Sequence, residues 1–275
     1  FIASGGFGCT YEAYHTLLDM RVALKEFFFS YFCNRHEKTG QVTVGTLSKV
    51  ELYGKLKKKF MDEARALYKM KHPGIVRVID VFEENGTAYY AMEYIDGQSL
   101  SDVVKKRSKL PEAEAVGYIR QVAEALKYVH SLNRLHLDIK PANIMRIEST
   151  NTLKIIDFGL AKRYEKNGDP ESSANLGFGT TGYAPLEQAD ANMEHEFSPE
   201  LDVYALGATY YKLLTNHVPN TAIDVLNRGL NTMPLVKKDV SQKSIDAIKA
   251  AMEPTKAKRL KTVEAFLDML PRIDD

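Results

Sequence analysis

The feature that most limits what this chain can become is a change of character near residue 95. Before it, four segments are dense in β-branched and aromatic residues: "CTYEAYH" (9–15), "RVALKEF" (21–27), "IVRVIDVF" (75–82) and "TAYYAMEY" (87–94). Such runs favour pleated strands, and the Asn85-Gly86 pair between the last two is the kind that a tight hairpin turn demands. One helix interrupts them. From about residue 48 to 70, Leu52, Leu56, Phe60, Ala64 and Leu67 recur at helical spacing, and Lys55, Lys57, Lys58 and Lys59 fall mostly off that stripe, as on a solvated face. After "DGQSL" (96–100) helical periods take over. Pro111 stands where a first helical residue is expected, and Val116, Ile119, Val122, Leu126 and Val129 form a core-facing stripe. Further helical patterns cover 201–215, 241–252 and 262–270, with short apolar runs, "NIMRI" and "LKIIDF", and a polar, Gly-rich stretch (164–182) among them. The expectation is a small sheet-rich lobe joined to a larger helical one, with a crevice between lobes as the favoured place for a ligand.

A chain of 275 residues can bury a substantial core. Its 37 basic and 36 acidic side chains leave a formal charge of +1, so net charge provides no general attraction to nucleic acid or to an anionic membrane. Two cysteines, Cys9 and Cys33, and seven dispersed histidines fit neither a disulfide framework nor zinc-ligand spacing, which points to a reducing, cytoplasmic setting. No apolar run approaches a membrane span. Residue 1 is Phe rather than Met, so a piece of a longer protein is expected, with room for a spanning or sensor segment beyond either end.

Three stretches carry chemistry. In "IASGGFGCTY" (2–11), Gly5, Gly6 and Gly8 would let backbone amides approach an anion, although a plain hairpin turn would use the same glycines. "VALKEF" then places Lys25 inside an apolar strand, where an ammonium is costly unless it meets an opposite charge. Glu63, on the helix between Phe60 and Leu67, can supply that charge; the bland alternatives are an edge lysine and an ordinary surface carboxylate. In "HLDIKPANIM" (136–145), Asp138 is a carboxylate able to accept a proton or orient a hydroxyl, Lys140 a mobile cation and Asn143 a neutral oxygen ligand. Fourteen residues on, "IIDFG" ends an apolar strand with Asp157. Two hard oxygens, from Asn143 and Asp157, suit Mg²⁺ with phosphate and water in its other positions. A phosphate-cradling loop, a base candidate and a metal pair make phosphoryl transfer the coherent reading.

The order of glycine-rich loop, strand lysine, helix glutamate, H-x-D-x-K-x-x-N loop and D-F-G resembles a eukaryotic-type (Hanks-type) Ser/Thr protein kinase domain over nearly the whole chain. The resemblance implies a bilobal α+β kinase-like fold. Residues 1–94 would form a nucleotide-binding lobe, a small antiparallel sheet with one main helix, and 95–275 a mainly helical catalytic and substrate lobe. ATP, Mg²⁺ and a protein substrate are the implied partners. Lys25 would contact the α- and β-phosphates while pairing with Glu63, Asp138 would orient the acceptor hydroxyl, Lys140 would balance charge on the γ-phosphoryl group, and Asn143 and Asp157 would hold Mg²⁺. The loop at Ala3, Gly5, Gly6 and Gly8 would cover the phosphates. "AMEYIDG" resembles a hinge, with Met92 as gatekeeper and the Glu93 to Ile95 backbone offered to adenine, between Ala23 and Met145. Leu67, Val78, His136 and Phe158 correspond to a stack of side chains, Asp202 to a brace of the catalytic loop, and Glu187 to a partner of Arg259. Lys140 and the "GTTGY" segment, with Thr180 and Thr181, favour Ser/Thr as acceptor.

Departures from the pattern resemble bacterial members of the family. Ala3 replaces a glycine, Thr10 a valine, and residues 26–48 insert between the lysine strand and the helix, to pack on the sheet or to meet a partner. Most consequential is Leu137, where many relatives carry an arginine that grips a phosphate on the activation segment. Activity without phosphorylation at Ser172 or Ser173 is the expectation, with Lys162 or Arg163 as partial substitutes for the lost cation. A pseudokinase scaffold and a small-molecule phosphotransferase of the aminoglycoside or choline type are the competing readings.

Overall fold

The computed structural model describes residues 1–5, 8–30, 33–45, 47–158, 162–163, 179–189 and 197–272. It divides into two compact units, Phe1–Asp96 and Gly97–Asp275.

The first unit is built on a five-stranded antiparallel sheet, formed by β1 (Ala3–Gly5), β2 (Gly8–His15), β3 (Met20–Phe27), β6 (Val78–Glu84) and β7 (Thr87–Glu93). The spatial order is β1-β2-β3-β7-β6, which leaves β3 central. The β6–β7 hairpin turns where expected. Asn85 and Gly86 both adopt positive φ, 51° and 75°, the left-handed pair of a turn whose twist matches its strands. β6 begins at Val78, three residues later than the apolar run suggests; Ile75 and Val76 are buried without joining the strand. The insertion contributes its own hairpin, β4 (Cys33–Arg35) with β5 (Val42–Val44).

Helix α1 (Leu47–Lys69) follows. Its buried stripe runs through Tyr53, Phe60, Ala64 and Leu67, so Leu52, expected in the core, is a correction: it lies on the exposed side. The physical reason is that Tyr53, not Leu52, faces the sheet, with its ring 5.1 Å from that of Phe27 and its hydroxyl donating to the Gly86 carbonyl at 3.3 Å. Of the lysine run, Lys57 pairs with Glu83 at 2.6 Å and Lys55 with Glu51 at 2.7 Å, largely exposed contacts of little energetic weight.

The second unit opens with β8 (Gly97–Ser99), which joins β10 (Ile144–Ile147) and β11 (Leu153–Ile155) in a three-stranded sheet. β9 (Arg134–Leu135) pairs separately with β12 (Lys162–Arg163). The rest is helical: α2 (Leu100–Arg107), α3 (Glu112–Ser131), α4 (Leu186–Ala189), α5 (Glu200–Thr215), α6 (Ala222–Arg228), α7 (Met233–Val236), α8 (Gln242–Ala251) and α9 (Val263–Met269). The α3 stripe of Val116, Ile119, Val122, Leu126 and Val129 is buried as its spacing dictates, while Pro111 caps the helix one position before its first turn. Ser99, Thr221, Ser241 and Thr262 cap α2, α6, α8 and α9 by accepting a backbone N–H. α5 is buried almost throughout, which makes it the axis on which the neighbouring loops can be fixed.

Candidate active site

The loop that follows β9 is held from below by α5. Asp202, fully buried, accepts from the backbone N–H of His136 at 2.9 Å and of Leu137 at 2.8 Å, and its Oδ2 lies 2.7 Å from His130 Nε2. Burial alone would push this carboxyl up; the hydrogen bond with His130 and the backbone N–H donors outweigh it and hold the pKa below the usual carboxylate range. The brace has a visible consequence. Leu137 sits at φ +67°, a left-handed conformation that costs an L-residue with a bulky side chain about 1–2 kcal/mol. Its N–H is taken by Asp202, its carbonyl accepts from Gln188 Nε2 at 2.6 Å, and its side chain is buried with Leu135, Phe197 and Leu201. All three attachments oppose relaxation of that residue.

The strained residue delivers Asp138 into a closed polar set. Lys140 Nζ donates to Asp138 Oδ2 at 2.7 Å and to Thr180 Oγ1 at 2.6 Å, and Thr180 Oγ1 in turn donates to Asp138 Oδ1 at 2.7 Å. Asn143 Nδ2 donates to Asp138 Oδ2 and to its backbone carbonyl, both at 2.9 Å. A short 3₁₀ turn, Pro141–Asn143, provides the reversal: Pro141 begins it and Asn143 N–H donates to the Lys140 carbonyl at 2.9 Å. The Asn143 carbonyl then accepts from Ile156 N–H at 3.0 Å, and β10 pairs with β11 in the register Ile144 with Ile155, which puts Asp157 next to this loop. Phe158 is buried, its ring centroid 4.5 Å from that of His136. His136 accepts from Asp138 N–H through Nδ1 at 3.2 Å, and burial drives its pKa down. Gly159, Ser172 and Ser173 lie outside the described residues.

In the first unit Lys25 lies mid-strand in β3, between Thr10 of β2 and Tyr90 of β7, which removes the edge-lysine alternative. Its Nζ is 5.6 Å from the centroid of the Tyr90 ring, and that ring is 4.9 Å from Phe60 of α1, one turn before Glu63. Lys25 on the strand and the α1 turn that carries Glu63 thus border the same buried aromatic pair. Ala23 pairs with Glu12 and Met92, Met92 is buried, and Ile95 is half-buried beyond β7. The Glu93 N–H donates to the Arg77 carbonyl at 2.9 Å, so in the hinge stretch that amide is already committed. Ala3 and Gly5 face Thr10 and Gly8 across the β1–β2 ladder, and Gly6 lies outside the described residues. A Cβ on Gly8 would come 2.1 Å from the Glu26 carbonyl oxygen, so close strand approach by itself demands glycine there. Leu67 and Val78 are buried in this unit, as His136 and Phe158 are in the other; Met145 is half-buried on β10, opposite Ser99 and Lys154.

A family model described as "Protein kinase domain" matches residues 1–269. The chain belongs to the protein kinase family. It is 31% identical to the serine/threonine-protein kinase cds1 of Schizosaccharomyces pombe over 75% of this chain and 46% of that protein. It is 33% identical to the serine/threonine-protein kinase PknA of Mycobacterium tuberculosis, over 79% of this chain and 46% of the relative. The kinase domain thus spans about half the length of these relatives. Among solved structures, the apo form of PpkA-294 superposes with a TM-score of 0.81 at 25% identity, covering 98% of this chain and 94% of the other. Rad53 1–466, solved in complex with AMP-PNP, has the same fold, with a TM-score of 0.72 at 23% identity over 98% of this chain and 62% of that one. The antiparallel sheet unit and the helical unit are those of the bilobal kinase fold.

The kinase's donor set can be tested for the metal its family implies. The amide nitrogen of Asn143 is spent on Asp138, which leaves its carbonyl oxygen as the ligand end, and Asp157 adds a carboxylate. Among the described residues there is no group of three or more His, Cys, Asp or Glu side chains that could hold a metal ion. Two protein oxygens without nitrogen or sulfur fit Mg²⁺ and could hold it, with the remaining positions left to water and phosphate. The large-lobe ion pair is also formed: Arg259, fully buried, places Nη1 2.5 Å from Glu187 Oε1 and Nη2 3.3 Å from Oε2. Sequence reasoning missed His130 and Gln188, whose partners are remote in the chain, and named Thr180 only as a hint of acceptor type. No helix among the described residues is long and apolar enough to cross a membrane.

Proposed function

We propose that this kinase domain transfers the γ-phosphoryl group of ATP to Ser or Thr hydroxyls of protein substrates, and does so without needing a phosphate on its own activation segment. Residues 1–94 bind the nucleotide and residues 95–275 carry the catalytic and substrate groups. The observation that supports this best is the closed set of Asp138, Lys140, Asn143 and Thr180. Asp138 is held by three donors, so it meets an incoming hydroxyl already oriented, and it can take the hydroxyl proton as the acceptor oxygen attacks phosphorus. Lys140, tied to Asp138 and Thr180, stays where negative charge develops on the transferred group. Positioning of this kind is the main source of rate in a reaction where the protein makes no covalent bond to phosphorus.

The proposed nucleotide groups are Lys25, placed by Glu63 to meet the α- and β-phosphates, with Ala3, Gly5, Gly6 and Gly8 over the phosphates. Ala23, Met92, Glu93, Ile95 and Met145 are the residues proposed for the base. Asn143 and Asp157 would hold Mg²⁺, which when bound supplies charge neutralisation to the phosphate oxygens. Thr180 bridges base and lysine from the segment expected to carry the acceptor peptide, which supports a hydroxyl-bearing Ser/Thr substrate over a small alcohol.

Independence from phosphorylation is supported by Leu137. Where a phosphate-gripping cation would stand, an apolar side chain is buried against Leu135, Phe197 and Leu201. The loop order that a phosphate would impose through charge is here carried by packing, by Asp202 and by Gln188.

The test is phosphate transfer from labelled ATP to a generic protein in Mg²⁺ buffer, with a panel of small alcohols in parallel. Asp138→Asn should lower kcat by roughly 10²–10⁴-fold, the usual worth of a positioned base. Phosphatase-treated wild type and the Ser172→Ala, Ser173→Ala chain should keep most activity. Turnover unchanged by Asp138→Asn refutes the catalytic assignment; near-total loss in both dephosphorylated forms refutes the second claim. Preference for a small alcohol would hand the site to the phosphotransferase reading.

A further inference from the structure

The insertion between β3 and α1 is the part of the first unit that the catalytic reading leaves unused. Its hairpin is well defined: Arg35 pairs with Val42, His36 N–H donates to the Gln41 carbonyl at 2.8 Å, and Gly40 N–H to the His36 carbonyl at 2.9 Å. Two anchors hold it, and they reach different elements.

The first anchor is Glu26, the residue after Lys25. It is 2% exposed, on the opposite face of β3 from Lys25 because strand side chains alternate. A carboxylate so buried needs a cation, and Arg35 of the hairpin supplies it, with Nη2 2.6 Å from Glu26 Oε2. Tyr89 donates to Glu26 Oε1 at 2.8 Å and Tyr11 to Oε2 at 3.2 Å, so the charge is hydrogen-bonded as well as paired. Arg35 is itself fixed: its guanidinium lies 4.8 Å from the Phe28 ring centroid, and Nη1 donates to the Gly40 carbonyl at 3.2 Å.

The second anchor is the Asn85-Gly86 corner. Val42 N–H donates to the Asn85 carbonyl at 2.8 Å, and a Cβ on Gly86 would stand 2.5 Å from the Val42 carbonyl oxygen. The same Gly86 carbonyl accepts the Tyr53 hydroxyl of α1 at 3.3 Å, and β5 lies against that helix. One hairpin therefore fastens the strand of Lys25 and the first half of the helix that carries Glu63.

We propose that this hairpin is a built-in clamp on the lysine strand and the glutamate helix, with Arg35 a positioning residue that acts through Glu26. The clamp rests on the kinase reading, since its purpose is to keep Lys25 and Glu63 in catalytic register. Removing Arg35 strands a buried carboxylate on the residue after Lys25; β3 must then shift to bring that carboxylate to water, and the shift disturbs the neighbouring lysine.

The experiment measures kcat and KM for ATP at a temperature where circular dichroism shows every variant folded. Arg35→Ala should lower kcat/KM for ATP at least tenfold in the folded protein, and Arg35→Lys, which keeps the charge without the planar fork, about threefold. The neutral pair Glu26→Gln with Arg35→Gln should recover to within about fivefold of wild type, because no buried charge is left alone. A hairpin that only packs would lower Tm and leave kcat/KM of the folded chain within twofold of wild type, and that result overturns the clamp. If Arg35→Ala does not fold, wild-type kinetics in Arg35→Lys overturn it equally. A wild type that transfers no phosphate defeats the kinase reading alone. Hydrogen exchange then decides the clamp: the α1 amides around Glu63 must exchange at least tenfold faster in Arg35→Ala, or in Arg35→Lys if the former is unfolded, and unchanged exchange overturns it.

Discussion

Leu137 permits a prediction whose sign is opposite to the usual one. At ordinary helix or strand positions glycine is less stable than alanine by roughly 0.5–1 kcal/mol, because it loses more backbone entropy on folding. At φ +67° the balance changes. Leu137→Ala keeps the left-handed strain and empties the apolar site among Leu135, Phe197 and Leu201, a loss of about 2–5 kcal/mol by analogy with other buried leucines. Leu137→Gly empties the same site but removes the Cβ clash that made the conformation costly, regaining about 1–2 kcal/mol and returning part of it as unfolded-chain entropy. The expected order is Leu above Gly above Ala, with the two variants separated by roughly 0.5–1 kcal/mol. For a chain of this size the alanine variant should melt about 4–20 °C below wild type. Urea unfolding followed by circular dichroism, with a shared slope for the three chains, resolves differences of that size. A glycine variant clearly less stable than the alanine variant would refute the argument, since Leu137 could not then be held in a strained conformation.

Two other expectations follow from buried charge. Arg259 is fully buried against Glu187, so Arg259→Met strands that carboxylate and should cost about 3–5 kcal/mol, read as a fall in Tm, whereas the double change Glu187→Leu, Arg259→Met should recover much of it; equal melting of single and double variants would contradict the pairing. Asp202 has a folded pKa depressed below its unfolded value, so its contribution is complete above about pH 4 and is lost as pH falls through the lower, folded value. Over that acid window the stability of wild type should rise with pH more steeply than that of Asp202→Asn, by up to ~1.4 kcal/mol per pH unit for the one missing proton. Parallel urea midpoints against pH would contradict the charged state of Asp202.

Much of the site was legible because kinase chemistry fixes residue types at short spacings. Asp138, Lys140 and Asn143 lie within six residues, and a turn that begins with Pro141 can bring them together with local hydrogen bonds alone. The helix stripe was less legible. Leu52 and Tyr53 are both apolar and adjacent, and only the positions of Phe27 and the Gly86 carbonyl select the tyrosine as the one that turns inward. His130 and Gln188 left no readable signal, because each is an unremarkable polar residue until its partner, Asp202 or the Leu137 carbonyl, arrives from elsewhere in the chain.

By itself the sequence determined the two-part character of the chain, the Asn85-Gly86 turn, the stripes of α1 and α3 to within a residue, and the order of the catalytic motifs. These depend on side-chain periodicity and on backbone preferences that act within a few residues. Tertiary structure alone decided that Leu137 is held left-handed, that Thr180 joins Asp138 to Lys140, and that Arg35 of the insertion meets a buried Glu26. Each of those requires a group carried on another element of the fold to outweigh a local cost, conformational strain in the first case and desolvation of charge in the others, and side-chain periodicity does not encode that balance.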